Sequence, residues 1–385
     1  MVELRGITWD HPRGLSPMRA TAEQFEAAHP DVHIVWDARS LAAFGEQPLE
    51  QLVKTYDLLV IDHPFVGKAA ESKSLLLPLD TCLAPDLLAE QAAQSVGPSF
   101  RSYTYAGHQW ALAIDAAAHV SAYRRDLLAE IGQPLPETWE QVFDLAMKAP
   151  IALPLNAAGT IDSFLSLCAN CGEPPGQSQQ YLVGRETARH ALAMLRRLAS
   201  ESHAKSLMWS PPQVLDCLAT TNEVVYCPLL FGYATYARPG FAPHLVHFTN
   251  IPASGVGQGP QGALLGGTGL AISAYCRAVP EAAAYAAWVA SAECQRTLYA
   301  ASGGQPANRV AWTNLVVNNA ASNFYLDTLQ TLEGAYVRPR YSGFVELHDR
   351  LGVLLHDYLR AGGDIAQVLD EMERLYLSNT PKSAS

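Results

Sequence analysis

Leu4-Arg5-Gly6-Ile7-Thr8-Trp9-Asp10-His11-Pro12 opens the chain, and Asp57-Leu58-Leu59-Val60-Ile61-Asp62-His63-Pro64 echoes it. Each is an apolar strand signal that ends in Asp-His-Pro, a turn that breaks the strand. Between them, Met18, Ala22, Phe25 and Ala28 share one helical face after the pair Ser16-Pro17, an N-cap followed by a first-turn proline. This predicts a helix over 17–28. Val32-His33-Ile34-Val35-Trp36 predicts the second strand and residues 57–61 the third. Strand, helix, strand, short helix, strand is the pattern of a mostly parallel sheet with helices on its faces. In such sheets ligands bind beyond the carboxyl ends of the strands. Asp10, His11, Arg39, Ser40, Asp62 and His63 all fall there.

At 385 residues the chain exceeds one ordinary core, so two lobes are expected. The net charge is −11 and no run of five or more basic residues occurs, which argues against nucleic acid and against insertion at an anionic membrane surface. No apolar run is long enough to span a bilayer. No leader pattern precedes the first strand, so the sequence as it stands reads as cytoplasmic, or as periplasmic if a leader has been removed. The seven cysteines are odd in number and scattered, as in a reducing compartment. Cys168-Ala-Asn-Cys171 has no second pair at zinc spacing and reads as two helix cysteines. Neither a cofactor nor a resident metal is expected, and nothing calls for more than a monomer.

Further along, Tyr103 to Trp110 predicts a hairpin around Ala106-Gly107. Thr138 with Gln141 forms a capping box before a helix over 139–148. A short strand at 151–155 ends in Asn156, and a helix from Asp162 to Cys171 puts that carboxylate near a positive helix end. A long amphipathic helix covers 184–201, a strand 223–227, and an aromatic turn 230–236. A glycine-rich stretch, 255–269, precedes a strand at 270–273. An alanine-rich helix runs from Pro280 to about Ala301, and the last seventy or so residues are mainly helical with a polar tail from Ser378.

Several of these stretches, in this order, resemble the extracellular solute-binding proteins of ABC transporters, sugar-binding type. They are Tyr56 to Asp62 with Leu77-Pro-Leu-Asp80; Gly107 to Ile114, Tyr123-Arg-Arg-Asp126 and Pro136-Glu-Thr-Trp139; Gly266 to Ser273 with Gly303-Gly-Gln-Pro306; and Arg338-Pro339 with Leu369 to Arg374. The resemblance implies an α/β, two-lobed periplasmic-binding-protein-like fold of type II, each lobe a mostly parallel sheet flanked by helices, with a ligand cleft between lobes. Lobe 1 is expected at 1–114 plus 267–311 and lobe 2 at 115–266 plus 312–385. It also implies a small-molecule ligand, an ABC permease as partner, and cleft contacts from Trp9, Asp10, His11, Asp62, His63, Asp115, Asn156, Asp162, Tyr233, Gly267 and Thr268.

The chemistry of these residues suits a small polar organic ligand, a carbohydrate or an organic acid. Trp9 and Tyr233 could cover the apolar face of a sugar ring, while Trp209 and Phe231 read as packing. Asp10 and Asp62 can accept paired hydroxyl bonds, and His11 and His63 can donate or accept. Two alternatives use the same groups. In the first, the chain is a cytoplasmic enzyme with His11 and His63 as the catalytic candidates, Asp10 facing His63 or Asp62 facing His11, or with the four groups holding a divalent metal. In the second it is a cytoplasmic ligand sensor. Gly266-Gly267-Thr268-Gly269 lacks the lysine ending of a phosphate loop and reads as glycines permitting close approach.

Overall fold

The computed structural model describes residues 1–72, 74–255 and 259–380. The expected glycine-rich stretch therefore lies partly outside the described residues, as does the end of the polar tail. In chain order the strands are β1 (Val2–Trp9), β2 (Val32–Arg39), β3 (Leu58–Ile61), the hairpin β4 (Thr104–Tyr105) and β5 (His108–Gln109), β6 (Leu112–Tyr123), β7 (Tyr226–Phe231), β8 (His247–Thr249) and β9 (Leu265–Ile272). Contacts divide the chain into two units. The first holds residues 1–117, 266–319 and 340–342; the second holds 118–265, 320–339 and 343–385. The chain leaves the first unit inside β6, a few residues later than position 115. After its return it stays until Asn319, so residues 312–319 and 340–342, expected in lobe 2, belong to the first unit.

In the first unit, β1 pairs in parallel with β2 along its whole length and with β3 beyond it; β9 then adds antiparallel to β3. All four residues of β3 are buried, as in a strand covered on both faces. Helix α1 (Pro12–Ala28) lies on this sheet through Met18, Ala22 and Phe25. It begins five residues earlier than predicted. His11 is its N-cap and Pro12 takes the first helical position. Pro17 lies inside it, so the Arg13 carbonyl lacks its usual main-chain donor. A short helix, α2 (Leu41–Glu46), follows β2, capped by the Ser40 hydroxyl on the Ala43 N–H. The hairpin turn forms at Ala106 and Gly107, both with positive φ, 50° and 82°, as tight hairpins require.

In the second unit, β6 pairs antiparallel with both β7 and β8. The Thr138–Gln141 capping box is present at the helix Trp139–Ala146. The strand expected at 151–155 is reduced to a bridge at Ile151. Helix α3 (Ala157–Asn170) starts at Ala157, not Asp162, because the Asn156 side-chain Oδ1 accepts the Gly159 N–H at 2.9 Å. Helix α4 (Phe344–Ala361) packs along α3. Gly352 makes this possible: a Cβ there would sit 2.7 Å from the Ala157 carbonyl oxygen. The alanine-rich helix of the first unit spans only Val279–Ala290; Ser291 ends it and caps a new turn that continues as a π-turn at Gln295–Tyr299.

Candidate functional site

The register of the first sheet explains which groups meet at its carboxyl end. Ile7 of β1 lies opposite Leu59 of β3, and Ile61 lies opposite Gly269 of β9. Asp10 follows the last residue of β1, Asp62 follows the last residue of β3, and Thr268 precedes Gly269 within β9. With neighbouring strands about 4.8 Å apart, the three fall at the same end of the sheet. Asp10 is exposed, Asp62 half-buried and Thr268 buried, with its hydroxyl lacking a hydrogen-bond partner among the described residues. A group of two acceptors and one hydroxyl suits a ligand rich in hydroxyl groups. Gly266 to Gly269 lie inside β9 rather than before it.

The histidines are engaged locally. His11 Nδ1 accepts the Arg13 N–H at 3.0 Å. Burial, with Arg13 nearby, lowers its pKa to about 4 against the opposing pull of Asp10, so the ring is neutral at physiological pH. His63 is fully buried, and its ring stands edge-on to Tyr103, centroids 6.3 Å apart. Its main-chain N–H donates to Asp62 Oδ1 at 2.7 Å, and its Nδ1 lies 3.1 Å from the same oxygen. The close Asp–His approach is thus within one strand end, where the sequence reading expected it across strands. The 3-10 turn at His63–Phe65 bends the chain so that neighbouring side chains no longer point apart.

Trp9 is 4% exposed and lies in the core beside Phe44, ring centroids 5.3 Å apart. Its indole rests on Gly14, where a Cβ would come within 2.4 Å of the ring. This corrects the reading of Trp9 as a ring-stacking platform. Asp115 is buried and gripped by Arg13 through two hydrogen bonds, one at 2.8 Å from Nε to Oδ2 and a second from a terminal nitrogen to Oδ1. Burial pushes its carboxyl up, opposed by Arg13. Gly267 has φ +101°, and a Cβ there would meet the Asp115 carbonyl oxygen at 2.3 Å, so the residue serves close approach of two backbones.

In the second unit, Asp162 sits in the second turn of α3, away from the helix end that was to stabilise it. Its Oδ1 lies 2.8 Å from His348 Nε2 on α4. Burial alone would raise its carboxyl, but His348, Arg338 and His119 outweigh that and lower it. His348 is raised to about 9: burial opposes the charge, and Asp162 more than compensates. His119 Nδ1 lies 2.7 Å from the Ser166 hydroxyl, which also accepts the Leu264 N–H. Burial lowers His119 to about 4. Tyr233 is buried and edge-on to Tyr236. Trp209 stacks flat on His203 at 4.7 Å, and Phe231 tilts over His119.

Arg13 and His348 were not singled out from the sequence. They lie 102 and 186 residues from their carboxylates, and neither belongs to a local motif. Cys168 is buried and Cys171 exposed, both free. Among the described residues no group of three His, Cys, Asp or Glu side chains could hold a metal ion, and no helix is long and apolar enough to cross a membrane.

Residues 20–321 match the family described as bacterial extracellular solute-binding protein. A maltotriose-binding protein of Pyrococcus abyssi (strain GE5 / Orsay) is 31% identical over 166 residues, 39% of this chain and 34% of the relative. The chain therefore matches about a third of the length of that curated relative. Among solved structures, maltose-bound MalE3 of T. maritima superposes with a TM-score of 0.83 at 18% identity, covering 98% of this chain and 99% of the other. A ribitol complex of an ABC transporter solute-binding protein from Agrobacterium radiobacter K84 gives 0.79 at 19%, covering 98% of each chain. The fold is the type II periplasmic-binding-protein-like α/β fold of these proteins.

Proposed function

Because the chain belongs to the bacterial extracellular solute-binding protein family, we propose that its ligand is a carbohydrate or a polyol and that it delivers this ligand to an ABC permease outside the cytoplasm. The observation that carries the proposal is the sheet-end group of Asp10, Asp62 and Thr268. Ionised carboxylates only accept hydrogen bonds, so they call for a ligand that presents donors, and hydroxyl groups are such donors. The buried Thr268 hydroxyl, without a partner among the described residues, gains one from the ligand. His11 can assist as a neutral group. The names of the relatives, which bind maltotriose, maltose and ribitol, point the same way.

Calorimetric titration of the purified chain with maltose, maltotriose, ribitol and D-mannitol tests the reading. Binding of at least one is expected, and Asp10→Asn or Asp62→Asn weakens it by about tenfold or more, the loss of a charge-assisted hydrogen bond. Asparagine keeps the turn geometry at Asp62, so folding is preserved. Absence of binding to every neutral sugar and polyol would sink the proposal. Delivery to a permease is tested separately: ligand-loaded protein stimulates ATP hydrolysis by the reconstituted transporter, and ligand-free protein does so less.

A further inference from the structure

Arg39 ends β2 and is 8% exposed. It is a buried guanidinium with no carboxylate partner among the described residues. Its terminal nitrogens make only two long hydrogen bonds, 3.3 Å to the Ala43 carbonyl and 3.4 Å to the Val60 carbonyl, and its Nε–H has no acceptor. Asp37, two residues earlier, is taken by Arg5 at 3.0 Å. Burial pulls Arg39 down to about 10, which still leaves it cationic at neutral pH. Trp9 lies directly opposite Arg39 in the β1–β2 register. Its indole N–H is also buried without an acceptor. Both side chains flank the Phe44 ring: the guanidinium carbon lies 5.2 Å and the indole centroid 5.3 Å from it. Two donor-only groups, one of them charged, therefore each carry an N–H without an acceptor among the described residues, on paired residues at the carboxyl end of β1 and β2.

An uncompensated buried charge and an orphaned donor are the two features a folded protein most avoids. Here they coincide, and what they lack in common is an anionic oxygen. We propose that Arg39 and the Trp9 indole N–H bind the carboxylate of an acidic sugar, so that the ligand of this chain is a sugar acid whose hydroxyls meet the Asp10–Asp62–Thr268 group. This rests on the carbohydrate reading and narrows it. A carboxylate oxygen accepts from the Arg39 Nε–H and the Trp9 Nε1–H, while Asp10 and Asp62 reject a carboxylate from their own positions by like charge. The polarity of the ligand is thereby fixed: its acid end lies toward β2 and its hydroxyl end toward β9.

The test is calorimetric titration of the full chain with matched acid and neutral pairs: D-glucuronate against D-glucose, D-galacturonate against D-galactose, D-gluconate against D-glucitol. At least one acid is expected to bind about tenfold or more tightly than its neutral partner. Arg39→Met removes that preference, and Trp9→Phe weakens the acid severalfold. Arg39→Met also melts no lower than the parent, since it deletes an uncompensated charge. Equal binding within all three pairs overturns the proposal, as does a preference that survives Arg39→Met. Binding of inorganic phosphate with no sugar acid bound would show a simple anion site and also overturn it. If neither these compounds nor the neutral panel binds at all, the carbohydrate reading itself fails.

Discussion

Asp115 in the first unit and Asp162 in the second are both buried carboxylates engaged by a distant cation, and they differ in what that cation can do. Arg13 cannot release its proton, so the Asp115 pair is fixed across the whole physiological range. His348 can, so the Asp162 pair exists only while the imidazole is charged. The geometry follows the chemistry. The planar guanidinium at the start of α1 engages both oxygens of Asp115, whereas His348 reaches one oxygen of Asp162. The first unit thus has a permanent internal tie from helix to strand, and the second a tie from helix to helix that pH can loosen.

The strongest way to break the contrast is Arg13→Ala, which leaves the Asp115 carboxylate buried and unpaired. A loss of about 3–5 kcal/mol in denaturant unfolding is expected, and Arg13→Leu combined with Asp115→Leu recovers most of it. A single variant as stable as the parent would show that the pair holds nothing together. The next effect is on pH dependence. His348 is raised from 6.5 to about 9, so its contribution is fully present below about 6.5 and is lost as pH rises through about 9. At most about 3.5 kcal/mol should disappear over that window, from about 1.4 kcal/mol per pKa unit. His348→Gln flattens the slope there; an unchanged slope refutes the pair as its source. Asp162, lowered, adds stability above its unfolded range that acid removes. The smallest effect sharpens the setting of the second pair: Asn156→Ala removes the α3 cap and costs about 1 kcal/mol without altering the pH slope.

The parallel sheet, α1, the hairpin and the Thr138 capping box were legible because each is written in local spacing. The strand-end positions of Asp10 and Asp62 followed from that sheet. What sequence reading missed is non-local. Nothing near Asp115 names Arg13, and nothing near Asp162 names His348; only the folded chain brings each pair together. Two errors had local causes. Ser16-Pro17 imitated a helix start, yet the helix begins at Pro12, where the His11 ring nitrogen accepts the Arg13 N–H. Trp9 looked like a platform because it stands at a strand end, but the missing side chain at Gly14 lets the indole settle into the core.

The position of β9 bears on how the chain is made. β3 acquires its second neighbour only when Leu265–Ile272 arrives, so Ile61 waits for Gly269. Until then β3 presents an open, wholly apolar edge, the kind that recruits other chains. As the polypeptide emerges N-terminus first, residues 118–265 of the second unit are complete before the first sheet can close. The first sheet therefore closes only after residues 118–265 have been made, and a ribosome-stalled fragment ending before Leu265 would aggregate where the full chain folds.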